Sequence, residues 1–555
     1  MTVRSAALSI AVLGLLAYAP FLSRTDLLNP DEPRYALVAR EMLESGNWLV
    51  PTLRGKTYGQ KPPVFFWSIA ALGALRGGVD ETAARLPSVI SAIVTLLAVF
   101  MAARRMVPDP ERGVRVGLMA AAVLGTTTRF LVLASRANID GMLTMWTTLA
   151  FWAFLAGYPL HGGPARPRWM ALGFALAGLS VITKGTGGLL FLLGIVAFLV
   201  LARERAGWRT VPWVRGIAVL LAVAAAWALP ALIAGGAEYR HTLLYQQMVT
   251  RVVDPWTHAR PWYFYSQTLP QNFLPWTLFV PVAAWALGAA LLGKEEASAG
   301  ERRGLWFCLA VFGSAFLFFS SAPSKRDYYL LPALPWLSAA VAWGMEREMA
   351  KATLGWRVSC WATVALAAVA GLGQACWTLC PREKLPEFAY GGAPAEVIDA
   401  LVWPVRAMGI VLVSGAVASG ALLARRKLWP AWAALVLAMV SWWFVYRGWM
   451  KPAANPALSG RAFAERIAAL TTPQDRILVY GPLEETLVFY SRRSMEWTDQ
   501  PQAALDALAA PERVVVVTTA NGWAQLKEGR PEPAATKQGE GTVGDETFVV
   551  VTNRP

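Results

Sequence analysis

The sequence predicts a polytopic α-helical membrane protein of about thirteen transmembrane helices, closed by a small α/β domain at its C-terminal end. Three observations predict it. Of the 555 residues, 56% are hydrophobic and only 16% charged, whereas a soluble protein carries about a quarter charged; the mean hydropathy is +0.41. Apolar runs of about 17–22 residues, long enough to span hydrocarbon, recur along the chain. The segments between alternate runs are basic, within a formal net charge of +15. Composition excludes a string of soluble domains and a disordered chain, and four Cys exclude a disulfide scaffold.

The apolar runs lie near 7–23, 87–103, 116–134, 141–157, 169–184, 187–202, 216–234, 276–293, 305–321, 329–345, 358–375, 403–424 and 428–447. The first has only Arg4 before it and no convincing small-residue cleavage site, so it reads as a retained helix. With the N-terminus cytoplasmic, alternate loops hold Arg104, Arg105 and Arg112; Arg166 and Arg168; Arg203, Arg205 and Arg209; Lys294, Arg302 and Arg303; Arg347 and Lys351; and Arg425, Arg426 and Lys427. Every one is basic, as the positive-inside rule requires, so most of the net charge is a topology signal. The opposite face carries long loops at 24–86 and 235–275 within a membrane domain of residues 1–450, then the tail 451–555. In that tail RILVY, RVVVVTT and TFVVVT read as buried strands, and RAFAERIAAL and PQAALDALAA as amphipathic helices. It has no glycine-rich phosphate loop.

Long polar loops gathered on one face of a helical bundle point to a site at that membrane surface. The first loop opens with LLNPDEPRYALVAREMLESGNW, where Asp31 and Glu32 precede Arg34 and Tyr35. Pro33 suits a first helical turn, so one of the two acids is a candidate N-cap, which leaves the other to explain. Ala36, Leu37, Ala39 and Met42 then mark a face that lies along the membrane. GKTYGQKPPVFFW holds Lys61 on a stiff extended stretch beside an aromatic anchor; it is either a phosphate clamp or an ordinary interfacial anchor. Lys184, in LSVITKGTGGLLF, sits where two helices are interrupted, and a lysine there either functions or snorkels. The second loop supplies Gln247, Arg251, Asp254, His258 and Arg260 ahead of PWYFYSQTLPQNFLPW, and SSAPSKRDYYLLPALPW supplies Lys325, Arg326, Asp327 and Tyr328.

Basic groups from several segments with one acidic pair suit a substrate bearing more than one phosphate. An acid among them suits an acceptor base or a partner for a positive group on a sugar. Three His (His161, His241 and His258) without HExxH or Cys–His spacing leave His241 and His258 as weak metal candidates only, so a divalent ion is not supported by spacing and no cofactor is required. Cys376 and Cys380 read as two thiols in preference to a disulfide. No nucleophile elbow or P-loop occurs, and an exofacial site removes nucleic acid as a partner. A lipid flippase or transporter is the other class such a composition allows, but no internal repeat is evident and the polar motifs crowd one face.

Taken in order, NPDEPRYA, GQKPPVFFW, ARLPSVISA, RANIDGMLTMW, VITKGTGGLLF, ARPWYFYSQTLPQNFLPW and SAPSKRDYYLLPALPW resemble bacterial polyprenyl-phosphate-dependent glycosyltransferases of the C-type membrane fold. Within that family the chain is most similar to the 4-amino-4-deoxy-L-arabinose (lipid A) transferases, with protein O-mannosyltransferases as relatives. The resemblance runs from about 28 to 335. It implies an inverting transfer of aminoarabinose from undecaprenyl phosphate to lipid A phosphates at the periplasmic face of the bacterial inner membrane, and with it polymyxin resistance. The alternative within the family is transfer of a hexose to protein. It further implies Asp31 as the acid at the reaction centre, supported by Glu32, and Arg34, Lys61, Lys184 and Arg251, backed by Lys325, as the cations that stabilise the departing lipid phosphate. Tyr35, Tyr58, Arg260 and Tyr328, from the same motifs, complete the substrate-binding set. Gln60 and Gln247 stand where the family commonly has acids, which weakens an inherited metal site.

Overall fold

The computed structural model describes residues 2–243, 259–377, 395–528, 535–544 and 546–554. Each apolar run is helical: α1 (Val3–Tyr18), α4 (Glu81–Met106), α5 (Pro110–Gly125) with the short α6 (Thr128–Ala134), α7 (Ile139–Gly157), α8 (Pro167–Val181), α9 (Gly187–Leu201) and α10 (Trp213–Ala234) in the first half. The second half adds α12 (Val280–Leu291), α13 (Ala299–Ser321), α14 (Leu334–Ala350), α15 (Leu354–Cys376), α16 (Ala395–Ala424) and α17 (Leu428–Val445). Between them lie α2 (Asp31–Ser45), α3 (Val64–Arg76) and α11 (Phe264–Asn272).

Among the described residues seven helices are long and apolar enough to cross a bilayer alone, and nine if two bent pairs each count as one span. That is fewer than the thirteen expected, because several runs form helices too short to pass unaided; α1 and α9 are examples. The bundle nonetheless turns an apolar face outward. On α10, Val214 is 85% and Ile233 78% exposed, an arrangement that water would penalise and lipid would not. The chain is a multi-pass membrane protein.

Polar residues set the helix ends. Asp80 accepts from the Ala83 N–H at 2.7 Å to open α4, and Asn138 accepts from the Asp140 N–H at 2.8 Å to open α7. Ser298 and Glu301 form a capping box at α13. The basic loops are partly neutralised locally: Arg112 pairs with Glu301 and Glu346, Arg303 with Glu204, and Arg347 and Lys351 with Glu295.

After α17 the chain does not leave the helix at 451, where the sequence suggested a boundary. A π-helical turn, Tyr446–Met450, runs into α18 (Lys451–Leu458), and the sheet-bearing part begins beyond it. Its helices are α19 (Arg461–Leu470), α20 (Glu485–Ser491), α21 (Pro501–Leu508) and α22 (Ala520–Lys527). The strands β3 (Arg476–Tyr480), β4 (Glu496–Thr498), β5 (Val514–Thr519), β6 (Thr536–Val543) and β7 (Glu546–Thr552) follow the small first-loop hairpin β1 (Thr52–Leu53) and β2 (Lys56–Thr57). The tail sheet has the order β4-β3-β5-β7-β6. β3 is parallel to β4 and β5, while β7 is antiparallel to β5 and β6, in a register that sets Val517 opposite Val550. Val514 through Val517 are all buried, as a strand covered on both faces must be.

The sheet unit grips the first loop. Arg34 meets Glu485 at 2.8 Å, and Thr486 Oγ1 donates to Asn29 at 2.8 Å. The Leu27 N–H donates to Tyr490 at 2.7 Å, and Arg461 reaches both Asp26 and Glu81. The guanidinium of Arg40 lies 3.9 Å from the centre of the Phe489 ring.

Candidate active site

Helix α2 starts at Asp31 with Pro30 in the cap position and no side-chain cap. Neither acid therefore serves as the cap the sequence allowed, and each has another partner. Asp31 Oδ2 accepts from Arg326 Nη1 at 3.2 Å and from the Tyr328 hydroxyl at 3.3 Å. Arg326 also donates to Tyr328 at 2.5 Å. Burial alone would push the Arg326 guanidinium down, but Tyr328 and Asp31 raise it, and burial together with Asp31 pushes the Tyr328 phenol up. Asp31 remains partly open to solvent.

Glu32 is held differently. It is buried, with Arg85 Nε at 2.8 Å and Nη2 at 3.0 Å on its two oxygens. The N–H groups of Ala137 and Leu28 donate to it at 2.9 and 3.3 Å. Burial would raise this carboxyl, yet Arg85, Arg136 and the Ala137 N–H outweigh it and hold it down at about 2. A carboxylate so saturated cannot meet a substrate. The catalytic role expected for Glu32 gives way to a positioning one: with Arg85, whose guanidinium also donates to the carbonyls of Leu22, Thr25 and Asp26, it fixes the segment that carries Asp31.

A second ion pair completes the centre. Lys184 Nζ contacts Asp140 Oδ1 at 2.5 Å and lies 4.1 Å from the centre of the Tyr329 ring. Asp140 stands in the first turn of α7, and Lys184 in the break between α8 and α9. The Val64 N–H meets the Ile182 carbonyl at 3.5 Å, so the prolines after Lys61 lie against the segment that carries Lys184. Tyr328 and Tyr329 pack edge to face at 5.4 Å between the two pairs. Tyr35 is buried against Phe65 and Phe66, and Tyr58 against Phe66. Tyr35, whose phenol burial pushes well up, and Tyr328 both lie in the field of Asp31 and of Asp140.

The structure thus brings Asp31, Tyr35, Tyr58, Lys184 and Tyr328 to one region, with the segment after Lys61 against that of Lys184, and it corrects two cations. Arg34 is taken by Glu485 of the tail, which raises its guanidinium although burial opposes it. Lys325 is buried with its ammonium donating to the carbonyls of Arg260 and Ala322; it pins the second loop to the Ser324 segment. Arg260 lies exposed with its guanidinium 6.0 Å from the Phe264 ring centre. Arg251 and His258, with Gln247 and Asp254, lie outside the described residues, as does Cys380. Among the described residues no three His, Cys, Asp or Glu converge as metal ligands. Sequence reasoning left Arg326 in its motif without a role and overlooked Asp140, Arg85 and Arg129. Arg129 joins Asp327 and Asn272, so it anchors the strip that carries Arg326 and Tyr328. The hint available for Asp140 was its place in RANIDGMLTMW, an acid opening an apolar helix.

Two carboxylates, each paired with one cation and flanked by tyrosines, thus stand side by side at the centre. A family model described as dolichyl-phosphate-mannose-protein mannosyltransferase matches residues 60–229. An undecaprenyl phosphate-alpha-4-amino-4-deoxy-L-arabinose arabinosyl transferase of Pseudomonas aeruginosa (strain UCBPP-PA14) is 31% identical over 336 residues, which are 59% of this chain and 57% of that protein. The protein of the same name from Edwardsiella ictaluri (strain 93-146) is 31% identical over 348 residues, 61% and 59% of the two chains. The chain therefore spans a little under three fifths of the length of these curated relatives. In three dimensions it is similar to ArnT from Cupriavidus metallidurans bound to undecaprenyl phosphate, with a TM-score of 0.80 at 22% identity, covering 98% of this chain and 97% of that one. The chain has that fold, the C-type glycosyltransferase architecture that the motifs implied.

Proposed function

We propose that this protein is an inverting glycosyltransferase of the bacterial inner membrane. It moves 4-amino-4-deoxy-L-arabinose from undecaprenyl phosphate to lipid A phosphates at the periplasmic face, and so gives resistance to polymyxin and other cationic peptides. The observation that carries the reading is the pairing of Asp31 with Arg326 and Tyr328 beside the Lys184–Asp140 pair. The N-terminus is cytoplasmic, and the site and the tail are periplasmic.

An acceptor phosphate is already anionic, so the reaction needs little base; its difficulty is the charge that grows on the departing lipid phosphate. Arg326 and Lys184 stand ready for that charge, each masked by a carboxylate until the donor arrives. A donor phosphate on Arg326 releases Asp31, which then accepts the sugar's ammonium or orients the acceptor oxygen. An acceptor oxygen attacks the anomeric carbon as the bond to the lipid phosphate breaks, and the electron pair leaves with that phosphate. Lys61 and Arg251 serve as further cations for the same oxygens. No cofactor takes part, so transfer is expected to survive dialysis against EDTA.

The test is complementation of a strain lacking its own transferase. Expression is expected to add the pentosamine mass to lipid A and restore growth on polymyxin. Asp31→Ala is expected to reach the membrane and do neither; a normal lipid A spectrum from that variant removes Asp31 from the reaction. The matched mannosyltransferase family model supports one alternative, in which Asp31 is the general base for a Ser or Thr hydroxyl. Unmodified lipid A together with a lost glycoprotein would favour it.

A further inference from the structure

Glu32 and Arg85 satisfy each other, yet three more cations crowd around them. Arg136, in the turn before α7, approaches Glu32 to 4.0 Å. Arg447, on the π-turn after α17, lies in the field of Arg85, Glu32 and Arg136, and Lys451, at the start of α18, lies in the field of all four. The walls are the Leu22–Asp26 stretch, held by Arg85, and the Tyr446–Asn455 stretch. These are tied by Arg24 Nη1 to the Gly448 carbonyl at 3.3 Å and by Asn455 Nδ2 to Asp26 at 2.7 Å. Arg447 is 5% exposed, and its Nε and Nη2 are buried with no hydrogen-bond partner. Four cations therefore surround Glu32, whose oxygens already hold two N–H donors from Arg85 and two from the backbone, while the next carboxylates, Asp26 and Glu81, are engaged by Arg461. A guanidinium buried in that state is expensive unless an anion answers it.

We propose that Arg136, Arg447 and Lys451 form an anion site for a phosphomonoester group, separate from the Asp31–Arg326 centre and joined to it through the neighbouring Glu32. The two vacant N–H groups of Arg447 suit two oxygens of one tetrahedral anion, and Lys451 and Arg136 add point charge. Two charges per phosphomonoester answer the surplus better than the one of a phosphodiester. Arg136, with 37% of its side chain exposed, opens the cluster to the outside, and the half-exposed Trp449 shares the π-turn with Arg447, an aromatic suited to a membrane–water interface and hence to a lipid headgroup as the occupant; free inorganic phosphate has the same chemistry. Identifying the ligand with the acceptor's phosphate rests on the transferase reading above; the site itself does not.

The experiment is calorimetric titration of the full-length protein in detergent with dioctanoyl phosphatidic acid and, separately, with inorganic phosphate. Dioctanoyl phosphatidylglycerol is the phosphodiester control. Arg136→Gln and Lys451→Gln are each expected to weaken phosphatidic acid about tenfold or more while phosphatidylglycerol changes little. Arg447→Met is expected to raise the unfolding temperature without ligand and abolish the rise that ligand produces, since it removes an unanswered charge; a purely structural arginine would lower the temperature instead. If Arg447→Met does not fold, the two Gln variants decide. Inorganic phosphate binding as tightly as phosphatidic acid, and equally sensitive to the substitutions, supports the site and names a free anion as its source. Binding unchanged in the variants, or none by the parent, overturns it. Because no turnover is read, failure of lipid A modification leaves this result standing, and the reverse also holds.

Discussion

Glu32 and Asp31 are neighbours with opposite fates, and burial with partners decides between them. A buried ion pair broken from one side leaves a charge in low dielectric, which costs about 3–5 kcal/mol. Glu32→Gln is therefore expected to lower the unfolding temperature sharply in detergent, whereas Asp31→Asn, partly exposed, is expected to shift it little while removing transfer. The pH dependence follows in sign. The folded carboxyl lies at about 2 against an ordinary value of 4.5. Its contribution is full above 4.5 and fades as the pH falls towards 2. The stability gap between the parent and Glu32→Gln is thus expected to be constant near neutrality and to narrow only in acid. A gap unchanged down to pH 2 would show that the ion pair is not its source. At this scale the sequence was half legible. Asp31, Lys61 and Lys184 stand out because charge beside proline, aromatic or apolar runs is conspicuous. Their partners do not: Arg85 is 53 residues from Glu32 and Asp140 is 44 from Lys184, and no local pattern joins them.

Among the elements, the junction between α2 and α20 is the one that links membrane and tail. Arg34 and Glu485 form a bridge of which the arginine is about a quarter exposed and the glutamate largely buried. A double-mutant cycle on Arg34→Met and Glu485→Gln is expected to give a coupling of about 1 kcal/mol, more than a surface pair yields and less than a sealed one. Limited proteolysis between α18 and α19 is expected to quicken in either single variant; equal rates would make the bridge incidental. The predicted strands RILVY, RVVVVTT and TFVVVT are β3, β5 and β7, the central three, because buried strands announce themselves by continuous apolar residues. The outer strands were silent: β4 has three residues, and β6, TKQGEGTV, is polar and glycine-bearing, as an edge can be.

For the whole molecule, charge divides by face. In the proposed orientation the cytoplasmic Arg112, Arg303 and Arg347 face carboxylates, and on the opposite face Asp31 and Asp140 hold Arg326 and Lys184. The proposed orientation predicts that a single cysteine introduced at Arg426 is labelled by a membrane-impermeant maleimide only after cells are opened, and that one at Asp499 is labelled in cells whose outer membrane alone is breached. Labels on the same side would overturn the topology. The helical runs were legible as runs; their status as full spans was not, since length within a bend or a break is a property of packing.

The π-turn at Tyr446–Met450 acts on everything after it as a change of phase. One residue beyond the α repeat turns the following helix by about 100° about its axis. The direction in which Lys451 and Asn455 point, and the clock angle at which the tail sheet meets the first loop, are thus written in a single residue of length. Shortening that stretch by one residue would leave the span intact and its chemistry unaltered, but would swing Asn455 off Asp26 and Arg461 off Glu81 together. The tail would then be joined to the membrane helices in sequence and out of step with them in rotation.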